Sequence, residues 1–469
     1  MRHKKSYKKG KQGQRNNAAK NRLAKNAAPL EVTISYIGGR GDGVGHADYT
    51  HNYETKSHMV FVPNSLPGET LLVQPTSLDG QGIQSQIIEL KSASADRKEA
   101  DCAAFPECGG CQFQHMAYVA YQKWKDEQLQ KVLERGEISP QTIHPTYTAS
   151  AHNRRRARFA YRRRADDVII GFRQRASHHI VPPTGCIILA PEIMAVLPLL
   201  ETQLLASLDQ GSTGQIDINL CDNGCDVCVI TDGPCPPQTI TKMTTAAADI
   251  DIARLCLSEP KEDISLLIQK KQPEIQWSLP KDATQKSVTL YPSAATFLQA
   301  DSGAETIMRD DIFEALEGFD RIVDLFCGSG TLSAALLFQK SAVSQIDGFD
   351  TGAEAVASFQ KIADFNGQGN RLSTYQRNLF DAPLTPKELN NYDAAIMDPP
   401  RSGALSQASN LAQSEIKRII MVSCNPYSFA KDAQLLLAGG YHCRWLRHID
   451  QFWLTSHSEM IACFDKESA

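Results

Sequence analysis

Two short stretches near the C-terminal end of this 469-residue chain carry residue types suited to covalent chemistry. Asp398-Pro399-Pro400-Arg401 closes one predicted strand, and Ser423-Cys424-Asn425-Pro426 closes the next. Ligands of open α/β sheets bind outside the carboxyl ends of strands, so both turns belong to one crevice. Two prolines stiffen the first turn and aim Asp398 into it. Core packing is the bland reading of any single cysteine. A polar turn at a strand's active end instead makes Cys424 a reactive thiol, nucleophilic once ionised.

The elements that must position these turns begin near Phe319. Continuous apolar runs at 322–326, 346–350, 394–398 and 419–424 alternate with helical stretches, the pattern of a parallel sheet in an α/β domain. After the first run comes Cys327-Gly328-Ser329-Gly330-Thr331 and then a helix. Glycines there let a ligand approach the backbone, and Asp350, twenty residues beyond Gly330, can hold ribose hydroxyls at the end of the next strand. The dinucleotide fingerprint wants a third glycine where Ser333 stands. S-adenosylmethionine is therefore the better expectation than nicotinamide.

Upstream, short alternating runs at 32–34, 59–62, 71–73 and 87–88 are separated by turn-rich stretches, which predicts a small β-barrel. The run from Gly38 to Gly45 lacks the terminal Lys-Ser/Thr of a phosphate loop and no helix pattern follows it. The first 29 residues hold ten Lys or Arg and no acid, leaving the remainder at −14 although the whole chain is −4. Such a tail buries too little to order itself and reads equally as a tether for nucleic acid or a solubilising tail. No apolar run approaches the ~18 to 20 residues that span a bilayer, and no apolar block at the N-terminus suggests a signal peptide. The expectation is a cytoplasmic protein with no membrane partner. Its thirteen cysteines then read as core thiols, metal ligands or nucleophiles.

Cys102, Cys108 and Cys111, the last two flanking Gly109-Gly110, could converge on one site as iron–sulfur or zinc ligation requires. Cys186, in an irregular stretch after Pro182-Pro183-Thr184-Gly185, could be the fourth ligand. Cys221-x3-Cys225-x2-Cys228 has the spacing of a radical S-adenosylmethionine triad. Its context, however, is a hairpin through Asp222-Asn223-Gly224, which sends Cys225 and Cys228 to opposite faces and makes them core thiols. Between Asn153 and Arg175 nine arginines interleave with Phe159, Tyr161, Ile169, Ile170 and Phe172. That pattern suggests strands burying one face and offering guanidinium groups to nucleic-acid phosphates on the other. A solvated charged face is the plainer alternative. Residues 190–285 show no chemical motif and read as part of a central α+β domain.

Taken together, these residues resemble the RNA uracil-5-methyltransferase family, more narrowly its 23S rRNA branch. The matching pieces are the barrel, which resembles a TRAM domain; Cys102, Cys108, Cys111 and Cys186; Phe297-Leu298-Gln299; Asp324-Leu325-Phe326-Cys327-Gly328; the Asp398 and Cys424 turns; and His457-Ser458-Glu459. The resemblance implies a Rossmann-like methyltransferase domain at 286–469, a TRAM or OB-like barrel at 30–92, and a central α+β domain at 93–285 after a basic tail at 1–29. It implies a [4Fe-4S] cluster on the four cysteines. Donor binding is implied for Gln299, Phe326, Gly328, Thr331, Asp350, Asn378 and Asp398. Thr331 stands where Asn is common, Asp350 where Glu is, and Asp301 where Asn is.

In the implied reaction Cys424 adds to C6 of a uridine, C5 takes a methyl group from S-adenosylmethionine, and Glu459 removes the C5 proton so that the thiolate leaves. Asp398 could orient the uracil or hold the donor. The expected partner is RNA, 23S rRNA by resemblance, met by a monomer. Rival expectations are a tRNA uridine C5 methyltransferase, a radical enzyme using Cys225, a methyltransferase acting on an exocyclic amine, and a non-catalytic RNA-binding protein.

Overall fold

Alternating apolar residues make the N-terminal strands, whose inward side chains Val32, Ile34, Val60, Val62, Leu71, Val73 and Ile83 form one small core. In the computed structural model, residues 23, 27–51, 53–340 and 343–467 are described; the basic tail lies almost wholly outside them. Strands β1 (Leu30–Ile37), β2 (Gly43–His51), β3 (Glu54–Val62), β4 (Thr70–Asp79) and β5 (Gly82–Ser92) close into a barrel in the order β1-β2-β3-β5-β4. The glycine-rich run is a turn leading into β2, not a phosphate loop.

The chain divides into two units. The first comprises residues up to 101 with 111–128 and 454–456, and the remainder forms the second. In the first unit Trp124 Nε1 donates to the Ile37 carbonyl at 3.3 Å, and Arg97 pairs with the buried carboxylate of Glu69.

The second unit contains two large sheets. Strand β6 (Thr142–Thr148) belongs to the later one. Strands β7 (Arg156–Arg163), β8 (Val168–Arg173), β9 (Ile180–Val181), β10 (Thr213–Cys221), β11 (Gly224–Thr231), β12 (Arg254–Ser258) and β13 (Ser265–Gln269) form a seven-stranded sheet. Its β10–β11 hairpin pairs Leu220 with Cys225 and Cys221 with Gly224. Cys221 and Cys225 enter different cores, and burial pushes Cys221, Cys225 and Cys228 each up to about 12. They are packing residues, as the hairpin pattern predicts. A two-stranded sheet, β14 (Ile275–Ser278) and β15 (Ser287–Leu290), leads onward.

The last sheet has eight strands: β16 (Arg321–Leu325), β17 (Gln345–Asp350), β18 (Leu372–Gln376), β19 (Ala394–Met397), β20 (Arg418–Ser423), β21 (Tyr441–Asp450) and β22 (Glu459–Lys466), with β6. Their order is β18-β17-β16-β19-β20-β22-β21-β6. All the pairings are parallel except those of β22, which lies antiparallel between β20 and β21. This is the Rossmann-like α/β layer expected from the sequence, but it recruits its edge strand from 142–148, outside the range 286–469. Strands buried on both faces explain why 394–397 and 419–422 read as unbroken apolar runs. After the glycine loop the structure departs from expectation. In place of an α-helix there is a short 3₁₀ turn, Ala334–Phe338, whose five residues are all buried.

Because β22 sits in mid-sheet, its core residues carry much of the layer's stability. Ile461 is fully buried, and Ile461→Ala is expected to cost ~2 to 5 kcal/mol in urea unfolding.

Candidate active site

Parallel strands bring their carboxyl ends to one edge of the sheet, and the reversed β22 brings its first residue, Glu459, to that same edge. Cys424 follows β20, Asp398 follows β19, and the glycine loop follows β16. The two chemical turns are tied together: Asn425 Nδ2 donates to the Arg401 carbonyl at 2.8 Å, and Ser428 Oγ donates to it at 3.3 Å. Asn425 also caps the following helix, Pro426–Ala438, accepting from the Tyr427 amide at 3.1 Å. Cys424 is thereby fixed between a strand and a helix start.

The electrostatics show that these groups feel one another. Burial pushes the Cys424 thiol up to about 11, helped by the charges of Glu459 and Asp398, while Arg401 pulls it down. Burial, and then Asp398, push Glu459 up to about 8. Glu459 is 5% exposed, and its Oε2 has no hydrogen-bond partner. Asp398, half-buried, is pushed up to about 7 by burial. The fully buried Asp324 is also raised to about 7, by burial and by Asp398 and Asp350, although Ser333 Oγ donates to it. Ser333 thus has a structural partner at the position where a dinucleotide fold wants glycine.

The expected donor residues line the same edge. Phe326 adopts φ 64°, a left-handed conformation unusual for an aromatic residue, and so turns the chain into the glycine loop. A Cβ on Gly330 would lie 2.2 Å from the Phe359 ring. Asp350 accepts from the Gly328 amide at 3.1 Å and the Gly352 amide at 2.8 Å, so the carboxylate also shapes the loop. Thr331 is half-buried beside it in sequence. Asn378 is exposed and bonds within its own loop, to Asp381 and the Phe380 amide. Phe380, which the sequence reading missed, faces Phe326 with ring centroids 5.5 Å apart. Asp301 caps the helix Ser302–Ala315, accepting from Ala304, and takes the Tyr147 hydroxyl; that role suits an Asp as well as an Asn.

Gln299 is buried, and its Oε1 accepts from Gln451 Nε2 at 2.8 Å. Gln451 Oε1 accepts from the Ala300 amide at 3.1 Å, and its side chain reaches Glu459. No motif in the sequence marks Gln451. Its importance follows only from β21 ending beside Gln299.

In the arginine-rich strands and their turns Phe159 and Tyr161 are buried, while Arg158, Arg162, Arg164, Arg173 and Arg175 are exposed. Arg155 is spent on Glu305, Arg158 on Asp217 and Arg164 on Asp167, while Arg163 donates to neighbouring carbonyls. Arg156 lies over Phe297 at 4.3 Å and Arg154 over Phe452 at 5.9 Å. Among the described residues, no three His, Cys, Asp or Glu side chains gather closely enough to hold a metal ion. Cys102, Cys108 and Cys186 belong to the second unit and Cys111 to the first. Cys108 keeps its proton more firmly than an ordinary thiol, through burial and its neighbours Cys186 and Cys102, and Cys186 packs against an apolar core.

A doubly covered parallel sheet with one reversed strand, a glycine loop and acidic strand ends defines a Rossmann-like methyltransferase. Residues 374–466 match the tRNA (uracil-5-)-methyltransferase family model. The chain is 32% identical over 447 residues to an RNA methyltransferase of Agrobacterium fabrum, covering 93% of this chain and 99% of that one. It is 27% identical over 465 residues to a 23S rRNA (uracil(1939)-C(5))-methyltransferase of Shewanella piezotolerans, covering 96% and 98%. The tRNA (uracil-54, C5)-methyltransferase of Pyrococcus abyssi, solved with S-adenosyl-L-homocysteine, shares the fold at a TM-score of 0.67 and 20% identity, covering 93% and 99%. The chain belongs to the RNA (uracil-5-)-methyltransferase family, whose members are S-adenosylmethionine-dependent enzymes. No helix among the described residues is long and apolar enough to cross a membrane.

The raised acids tie stability to pH. Their folded values lie above the ordinary ~4 of an unfolded carboxyl, so their contribution is whole below that value and is lost as pH rises through about 7 to 8. Melting temperature should therefore fall between pH 5 and pH 8.5, and the advantage of Glu459→Gln over the wild type should grow across that window. The same variant removes a negative charge from beside Cys424. Iodoacetamide labelling of Cys424 at pH 9, followed by peptide mass spectrometry, should be severalfold faster in Glu459→Gln.

Proposed function

We propose that this enzyme methylates C5 of a uridine in 23S rRNA through a covalent bond between Cys424 and C6. The observation that carries the reading is the meeting of Cys424, Asp398 and Glu459 at one sheet edge, where each charge perturbs the next. Uracil C5 is a poor nucleophile, and addition of the Cys424 thiolate to C6 moves electron density onto it. When bound, S-adenosylmethionine supplies an electrophilic methyl group to that carbon. Glu459 then takes the C5 proton, the electron pair re-forms the C5–C6 double bond, and the thiolate leaves.

A carboxyl near 8 suits that task, because an ionised Glu459 is a stronger base than a solvated one and still ionises near neutral pH. Asp398 orients the uracil through its polar edge. Arg401 favours the thiolate form of Cys424. The donor, when bound, would be admitted by Gly328 and Thr331, its ribose held by Asp350, and its adenine bordered by Phe326, Asn378 and Phe380. Gln299, whose Oε1 accepts from Gln451, would have its NH2 for the donor. The donor's cationic sulfur also offsets the nearby carboxylates and so eases ionisation of the thiol.

The ribosomal target rests on the relative that spans 98% of its own length against this chain. A tRNA uridine is the second reading, favoured by the family model over residues 374–466. The five-stranded barrel serves as a TRAM-like RNA-binding module, and the target base must be unstacked to reach Cys424. The cell's cytoplasm, where RNA is modified, is the proposed location.

RNA carrying 5-fluorouracil at the target tests the adduct, since fluorine cannot leave as the proton does. The wild type should form a complex stable to denaturing gels and Cys424→Ala none. Methylation by a wild type that never forms the complex would refute the covalent step. Mapping 5-methyluridine in cells with and without the protein distinguishes 23S rRNA from tRNA.

A further inference from the structure

Between the residues assigned to the donor and the residue assigned to the proton lies one buried amide. Gln451 is 3% exposed at the end of β21, the strand paired with β22 through Ile449 and Glu459. One of its amide hydrogens goes to Gln299 Oε1, at 2.8 Å. Its Oε1 is occupied by the Ala300 amide at 3.1 Å, which fixes which end of the side chain is donor and which is acceptor. The second amide hydrogen is then left for Glu459, whose ionised form Gln451 favours. With Gln451 donating to its Oε1, Gln299 is left with its own NH2 for a ligand. A carboxylate can only accept, so Glu459 depends on a donor here; its other oxygen has no partner at all.

We infer that Gln451 is a positioning residue that orients Gln299 and Glu459 with a single amide, so that the donor site and the proton-abstracting site are built as one unit. The inference rests on the reading of Gln299 as a donor contact and Glu459 as the base. Its physical content is directional. Replacing Gln451 by a hydrocarbon of similar volume leaves Gln299 free to rotate within the pocket. It also removes from beside Glu459 the one amide that favours its charge. The other charged or titratable groups facing Glu459, namely Asp398 and Cys424, both oppose that charge, so nothing else in the site replaces the amide.

The test compares wild type, Gln451→Leu and Glu459→Gln, using 23S rRNA labelled with tritium at uracil C5 and taken from cells lacking the protein. Tritium release reports removal of the C5 proton, and calorimetry with S-adenosylhomocysteine reports the donor site. In Gln451→Leu the pH midpoint of release should move up by about one unit, because loss of a hydrogen bond to the charged form raises an acid's pKa. Donor-site affinity should fall about tenfold for the loss of one buried, oriented hydrogen-bonding group. A Gln451→Leu enzyme that melts lower but keeps both the midpoint and the affinity would show a packing role only and overturn the inference. Wild-type release by Glu459→Gln would instead overturn the assignment of the base, a result separable from the first.

Discussion

One reversed strand governs this site. Seven strands of the large sheet run in one direction and end at one edge, but β22, between β20 and β21, starts there. A parallel strand at that position would bring its last residue to the edge, and Glu459 would lie at the opposite end of the layer. The antiparallel insertion converts the first residue of a C-terminal strand into a neighbour of Cys424. It also makes the site depend on long-range pairing, since the Ser423–Met460 and Ile449–Glu459 registers must both form before the acid and the thiol can meet. The apolar run 460–464, buried on both faces, supplies the free energy that holds those registers.

Burial then sets the chemistry. Three carboxyls at the edge are raised toward neutrality by desolvation, and the charge of Asp398 opposes those of Asp324 and Glu459. Water would dissipate such mutual opposition; the closed strand ends preserve it. The consequence is a site that resists holding several negative charges at once and is therefore disposed toward a cation. A sulfonium donor meets that requirement, which links the donor's charge to the ionisation of the thiol it works beside.

Much of this was legible in the residues. The unbroken apolar runs announced strands covered on both faces, and the Cys221–Cys228 stretch announced a hairpin because its alternation outweighed its spacing. The barrel was legible for the same reason. Less legible were the partners that each residue type would meet. Among the nine arginines, the pairings of Arg155 with Glu305 and of Arg158 with Asp217 span 150 and 59 residues and could not be read locally. For the four cysteines spacing left iron–sulfur and zinc both open, and only the family resemblance implied a cluster, because convergence is a tertiary property. Strand β6 and Gln451 were invisible for a related reason. Each gains its role from a neighbour about 150 or more residues away, β6 from β21 and Gln451 from Gln299.

Thiol acidity alone does not single out the nucleophile. Burial raises Cys221, Cys225, Cys228, Cys443 and Cys463 to about 12 and Cys256 to about 11, and Cys424 stands at about 11 among them. What separates Cys424 is the kind of group that controls its proton. Cys225 is buried within an apolar core. Cys424 is half-buried at a strand end, with two titratable carboxyls raising it and a guanidinium lowering it. Neutralising those carboxyls, by protonation or by a bound cation, moves Cys424 toward ionisation and leaves the core thiols unchanged. Reactivity in this fold is therefore a property of the strand edge, conferred on the cysteine whose environment a ligand can alter.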